Sequence, residues 1–223
     1  MSDTTFSSEA AIGPAYSTVH AVPAAESHTA CIRLTNRDPV NPIAVRVAIC
    51  PAAYVAGSGV MPDDADWIES LDVVIEGGGM IEEIAMLLAH DEKVVALAGA
   101  ASCTVRVDGF KGAATDVVVS RTSVAAGVYA TIHTVGAGQS QVANIRTVNR
   151  DSVSQLAMRL AICPPGYVDG NPPALSDYIE APAVVIEGGG LIENMGKALK
   201  AGEKIVAYSN LAKLTTRVAA LQE

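Results

Sequence analysis

Aromatic residues are scarce in this chain, with two Phe, one Trp and six Tyr among 223 residues. Few rings are therefore on hand for the exposed Trp or Tyr platform that carbohydrate binding usually employs. Long apolar runs are absent too. None approaches the roughly 20 residues that a membrane-spanning helix needs, so no membrane segment is expected. Residues 1–9 are polar and acidic, without a basic stretch followed by an apolar one, so they do not read as a signal peptide. Positive charge is in deficit: 15 Lys and Arg stand against 24 Asp and Glu, a formal net charge of −9. That argues against a nucleic-acid binder, which needs a basic surface to neutralise phosphates. The acidity reads as a solubility device.

Catalytic signatures are missing as well. There is no G-x-S-x-G, H-E-x-x-H or phosphate-cradling glycine motif, and no paired Cys and His. The glycine runs 77–79 and 136–138 read as tight turns between strands. No catalytic residue, cofactor or metal is expected, and enzyme is the least supported class. Four cysteines are present, Cys31, Cys50, Cys103 and Cys163, with no C-x-x-C spacing. They read as small buried hydrophobes in a reducing compartment, although the sequence leaves a Cys31–Cys103 bridge open. His20 and His133 lie at equivalent places in opening strands, while His28 and His90 have no counterpart. Such isolated histidines read as ordinary strand or surface residues.

What the chain does contain is one domain written twice. Ile32-Arg-Leu-Thr-Asn-Arg-Asp38, Val45-Arg-Val-Ala-Ile-Cys-Pro51 and Val73-Val-Ile-Glu-Gly-Gly-Gly79 return as Ile145-Arg-Thr-Val-Asn-Arg-Asp151, Met158-Arg-Leu-Ala-Ile-Cys-Pro164 and Val184-Val-Ile-Glu-Gly-Gly-Gly190. The offset is 113 residues up to Cys50 and 111 from Glu76 onward, so a length change lies between Gly57 and Asp66 and marks 58–64 as a surface loop. The period is far longer than a solenoid unit and close to the size of an independent domain.

The apolar mass is Ala, Val, Ile and Leu in short alternating runs, which is the signature of strands. Residues 80–89 look helical alone, but their counterpart carries Gly196 mid-run with poor helical periodicity, so both copies are read as strand. The expected fold is all-β: two tandem β-sandwiches of about seven short antiparallel strands each. The expected layout is an N-terminal arm at 1–14, a first sandwich at 15–110, a linker at 111–123 and a second sandwich at 124–223. The arm is expected to be mobile unless it orders against a neighbouring subunit. The Val117-Val-Val-Ser-Arg121 run within the linker is suited to pair with an edge strand.

The residues that repeat are structural candidates. Asn36, Arg37 and Asp38, with Asn149, Arg150 and Asp151, read as β-turns whose Asn and Asp side chains bond nearby amides. Arg33, Arg46 and Arg106, with Arg146, Arg159 and Arg217, alternate outward on strands. Glu76, Glu82, Glu187 and Glu193 are placed to meet them across the sheet. Each exposed pair of that kind contributes at most about 1 kcal/mol.

At the level of residues 145–151, Met158-Arg-Leu-Ala-Ile162, Tyr178-Ile-Glu180, Leu191-Ile-Glu193 and Ala201-Gly-Glu-Lys-Ile-Val206, the chain resembles a small β-sandwich domain of virion structural proteins from tailed bacteriophages. The first copy departs from that pattern where His90-Asp91 replaces Ala-Gly before Glu92. The resemblance implies a non-enzymatic protein of the virion, assembled in the host cytoplasm. Its implied partners are the major capsid protein or other virion subunits. A homo-oligomer is expected, with neither nucleic acid nor membrane as partner. The leading expectation is a capsid decoration or cement protein; the alternative is a tail, neck or baseplate component, including one that recognises a host surface or carbohydrate.

Overall fold

The computed structural model describes residues 4–57, 59–181 and 183–222. Ser58 of the expected loop and residues 1–3 of the expected arm lie outside them. Among the described residues, sixteen strands make four antiparallel four-stranded sheets, two in each of two compact units. The first unit comprises Met1–Asp63 and Leu71–Val117; the second comprises Asp64–Ser70 and Val118–Glu223.

In the first unit, β1 (Thr5–Ile12), β2 (Ser17–Ala21), β3 (Glu26–Asn36) and β4 (Ile43–Cys50) are followed by β5 (Val73–Ile75), β6 (Met80–Leu88), β7 (Lys93–Ala98) and β8 (Cys103–Ala113). The sheet orders are β1-β8-β3-β6 and β2-β7-β4-β5. First therefore pairs with last, second with seventh, third with sixth, and fourth with fifth. That nested pairing is the jelly roll, a two-sheet architecture of eight strands. Alternation along the strands supplies the core: Ile32, Leu34, Val45, Val47, Val105 and Val107 are all buried.

The second unit repeats the plan. Its strands are β9 (Val117–Val124), β10 (Ala130–Thr134), β11 (Gln141–Asn149), β12 (Leu156–Cys163), β13 (Val184–Ile186), β14 (Leu191–Leu199), β15 (Lys204–Ser209) and β16 (Leu214–Gln222). They form sheets β9-β16-β11-β14 and β10-β15-β12-β13. One hydrophobic core takes Ile145 and Val218 from the first of these and Met158, Leu160 and Ile205 from the second.

The all-β, sandwich-like expectation holds, with eight strands per unit where about seven were read. The strand reading of 80–89 holds as well: β6 and β14 each carry a bulge, with Ala85 at φ 55° and Gly196 at φ 66°. Other expectations need correction. Residues 5–12 of the expected arm are β1, paired along their length with β8. Its polar sequence hid a strand whose hydrogen bonds come from a partner nearly a hundred residues away. Residues 111–123 are the end of β8, a 3-10 turn at Ala114–Asp116 and most of β9. Asp64–Ser70, within the expected first sandwich, is a strap belonging to the second unit.

Candidate interaction surfaces

The most faithfully repeated residues build a corner. Asn36 Nδ2 donates to the carbonyls of Asn41, Ile75 and Glu76 at 2.8, 3.2 and 3.2 Å, and its Oδ1 accepts the Asp38 amide at 3.0 Å. Asn149 does the same with Ser154, Ile186, Glu187 and Asp151 at 2.7, 3.3, 3.0 and 3.1 Å. Asp38 accepts the amides of Val40 and Asn41, and Asp151 those of Val153 and Ser154. These bonds favour the carboxylate and hold both Asp residues below their ordinary pKa; for Asp38 the Asn41 side-chain amide is the leading cause. Gly77 and Gly188 close the corner from the other side. A Cβ there would sit 2.7 Å from the Val40 carbonyl carbon or 2.6 Å from that of Val153. Glu76 and Glu187 therefore serve through backbone carbonyls while their side chains are exposed, which corrects the cross-strand role expected of them.

The outward arginines divide into two groups. In the first unit Arg33 pairs with Glu82 directly across β3 and β6, and Arg106 pairs with Asp108 at 2.7 Å. Their side chains stay 49% and 53% exposed. With Glu9, Thr35, Arg37 and Thr104 they line an open groove on the outer face of the β1-β8-β3-β6 sheet. Arg37 donates to the Ala101 carbonyl at 3.1 Å and is exposed.

In the second unit the corresponding face is covered by the Asp64–Ser70 strap. Arg146 joins Glu193 across the sheet, donates Nε to the Ile68 carbonyl at 2.6 Å and pairs with Glu69. Arg150 pairs with Asp64, and Arg121 with Asp66 at 3.3 Å. Thr215 donates its hydroxyl to the Asp64 carbonyl at 2.6 Å. Arg146, Arg150 and Arg217 are buried, and the side chain of Arg146 is only 6% exposed. The outward, solvated reading of Arg146 and Arg217 is thus overturned. Strand alternation places a residue on the outer face, but it says nothing of a segment that covers that face.

Arg46 and Arg159 serve the other sheets. Arg46 makes a two-pronged pair with Asp72 at 2.7 and 2.8 Å and donates to the Tyr16 hydroxyl. Arg159 donates to the Tyr129 hydroxyl and lies over the rings of Tyr129 and Tyr208, 5.9 and 5.3 Å from their centroids.

The histidines are not isolated. Ser8 Oγ, His20, His28 and Glu26 form a chain of hydrogen bonds of 2.9, 2.9 and 2.8 Å, with Phe6 stacked on both rings. Burial, then the neighbouring His28, lowers the His20 pKa from 6.5 to about 4. The second unit keeps Ser120 on His133 but has Gln141 in place of His28. A β-bulge between Thr18 and His20 turns both Val19 and His20 inward, which simple alternation does not foresee. The chain fixes β1 to β2 and β3. Among the described residues, no group of three His, Cys, Asp or Glu is arranged to hold a metal ion.

None of the four cysteines forms a disulfide. Cys31 faces Asp108 and Cys103 faces Asn36 in one ladder, too far apart along the strands to be bridged. Burial pushes the thiols of Cys31 and Cys163 up to about 11, leaving them protonated and poor nucleophiles at neutral pH.

The chain is thus an all-β protein of two eight-stranded two-sheet units whose repeated side chains are engaged in holding strands, corners and a strap together. No family model and no curated protein matches the sequence. Among solved structures it is similar to the STIV MCP, at 8% identity and a TM-score of 0.34, covering 98% of this chain and 95% of that one. It is also similar to the major capsid protein P2 of bacteriophage PM2, at 10% identity and a TM-score of 0.32, covering 97% of each. A fucolectin from striped bass (Morone saxatilis) serum aligns at 13% identity and a TM-score of 0.24, over 92% of this chain and 85% of that one. With TM-scores this low, these likenesses assign neither topology nor role.

Proposed function

We propose that this chain is a structural protein of a virus particle, acting through protein–protein contacts, and that it decorates and cements a capsid shell. The observation that carries this reading is the jelly roll itself, built twice in tandem by nested strand pairing. Jelly rolls serve viral capsids and lectins among other roles, so the architecture narrows the choice without making it. The resemblance of the repeated motifs to phage virion domains favours the capsid. The internal duplication agrees with that. Residues kept in both copies go to corner carbonyls, cross-strand pairs and an arginine–tyrosine hydrogen bond (Arg46–Tyr16 and Arg159–Tyr129), so the product of the duplication is rigid surface.

The test is rebinding. Purified protein added to particles that lack it is expected to bind saturably and to raise the temperature at which they release DNA. Saturable binding without that rise would place it on the tail, neck or baseplate. No binding to particles would overturn the virion reading.

A further inference from the structure

The two outer faces built by equivalent residues have different fates. Arg33, Arg37, Thr104 and Arg106 of the first unit stand where Arg146, Arg150, Thr215 and Arg217 stand in the second. The second set is buried beneath the Asp64–Ser70 strap; of the first, Arg33, Arg37 and Arg106 are exposed and Thr104 is half-buried. The strap has a copy as well. Asp66, Trp67, Ile68 and Glu69 recur as Asp177, Tyr178, Ile179 and Glu180. The first copy is buried from Asp66 to Ser70, whereas residues 177–180 are half-buried and Leu175 is 85% exposed. Unit 2 holds its own strap copy in place: the Ile179 amide donates to Leu160 at 3.0 Å, and Tyr178 bridges to Ala161. One arginine face without its strap and one strap without its arginine face are therefore left over in each chain.

We infer that the arginine face of the first unit is the docking site for residues 175–180 of a second copy of this chain, giving head-to-tail assembly. In this joint Arg33 takes the part of Arg146, pairing with Glu180 and donating to the Ile179 carbonyl as Arg146 does to Glu69 and Ile68. Thr104 takes the part of Thr215, donating to the Leu175 carbonyl as Thr215 does to Asp64. Because a face and a strap are two different surfaces, the contact is heterologous, and repeating it closes a ring or extends a filament. Two substitutions weaken the joint relative to its template. Leu175 replaces Asp64, so Arg37 gains no carboxylate there. Glu9 occupies the place of Arg121, as the equivalent Ser8–His20 and Ser120–His133 bonds show, so Asp177 meets a like charge where Asp66 meets an arginine. The inference does not depend on the virion reading and is tested without particles.

The experiment is sedimentation equilibrium of the full chain at tens of micromolar. Wild type is expected to form multiples of the 22.9 kDa chain. Arg33→Glu and Glu180→Arg should each weaken association about a hundredfold, with unfolding curves showing that both variants fold. The double variant, or a mixture of the two singles, should restore it. Glu9→Arg should strengthen association about tenfold and remains informative if Arg33→Glu fails to fold. Monomers throughout, including Glu9→Arg, would overturn the proposal. So would oligomers indifferent to positions 33 and 180. Loss with Arg33→Glu but not with Glu180→Arg would mean that another acidic partner takes the face, and would overturn it too.

Discussion

Replacing Asn149 tests the corner at its most loaded residue. Asn149 is 0% exposed. It supplies three carbonyl oxygens with donors from one amide nitrogen and accepts one backbone amide. A net hydrogen bond is worth about 1 kcal/mol, and a buried group left without its partner costs about 1–3 kcal/mol. Asn149→Ala removes two good donor bonds, a longer third and one acceptor, so the expected loss is about 3–4 kcal/mol. Asn149→Asp keeps the shape but turns a donor into a carboxylate facing three carbonyl oxygens, and should cost more than Ala at pH 7. Burial and those oxygens raise the folded-state pKa of the new Asp above its unfolded value of about 3.9. Its deficit is therefore smallest below that unfolded pKa and grows as pH rises through it. Urea unfolding followed by circular dichroism from pH 3 to 7 (about 1–3 kcal/mol per molar for small proteins) reads both effects, with Asn36→Ala as the parallel case in the first unit. An Asn149→Asp variant as stable as wild type at pH 7 would refute the reasoning.

Three further outcomes are expected. Ala85→Gly should stabilise the first unit by about 0.5–1 kcal/mol, because φ 55° penalises a side chain and the equivalent Gly196 carries none; a loss of stability in urea would contradict this. The His20 pKa is lowered on folding, so its contribution is complete above 6.5 and is lost as pH falls from there toward about 4. That amounts to at most about 3 kcal/mol. NMR titration should place the His20 midpoint near 4, His20→Gln should flatten that part of the stability profile, and a midpoint near 6.5 would refute the burial account. Deleting residues 1–12 removes β1 and the Phe6 ring from the histidine pair, and should lower the first unfolding transition without moving the second. An unchanged first transition would show that β1 adds nothing to the unit.

Short-range chemistry was the legible part. The Asn-Arg-Asp turns, the alternating apolar strands and the Gly196 interruption each announce local backbone geometry, and each lies where the pattern places it. Long-range coverage was not legible. Nothing in Thr5–Ile12 reveals a partner at 103–110, since a polar edge strand is held by backbone bonds as well as by apolar side chains. Arg33 and Arg146 sit in matching sequence, yet one is half exposed and the other buried, because only the second lies under a strap. His20 was misread because one bulge residue resets the in-and-out alternation of β2.

Cementing of the capsid shell is tested most directly by the copy number of this chain in purified virions relative to the major capsid protein. A cement protein is expected at a copy number equal to that of the capsid protein or a simple fraction of it. A handful of copies per particle, or none, would contradict that role.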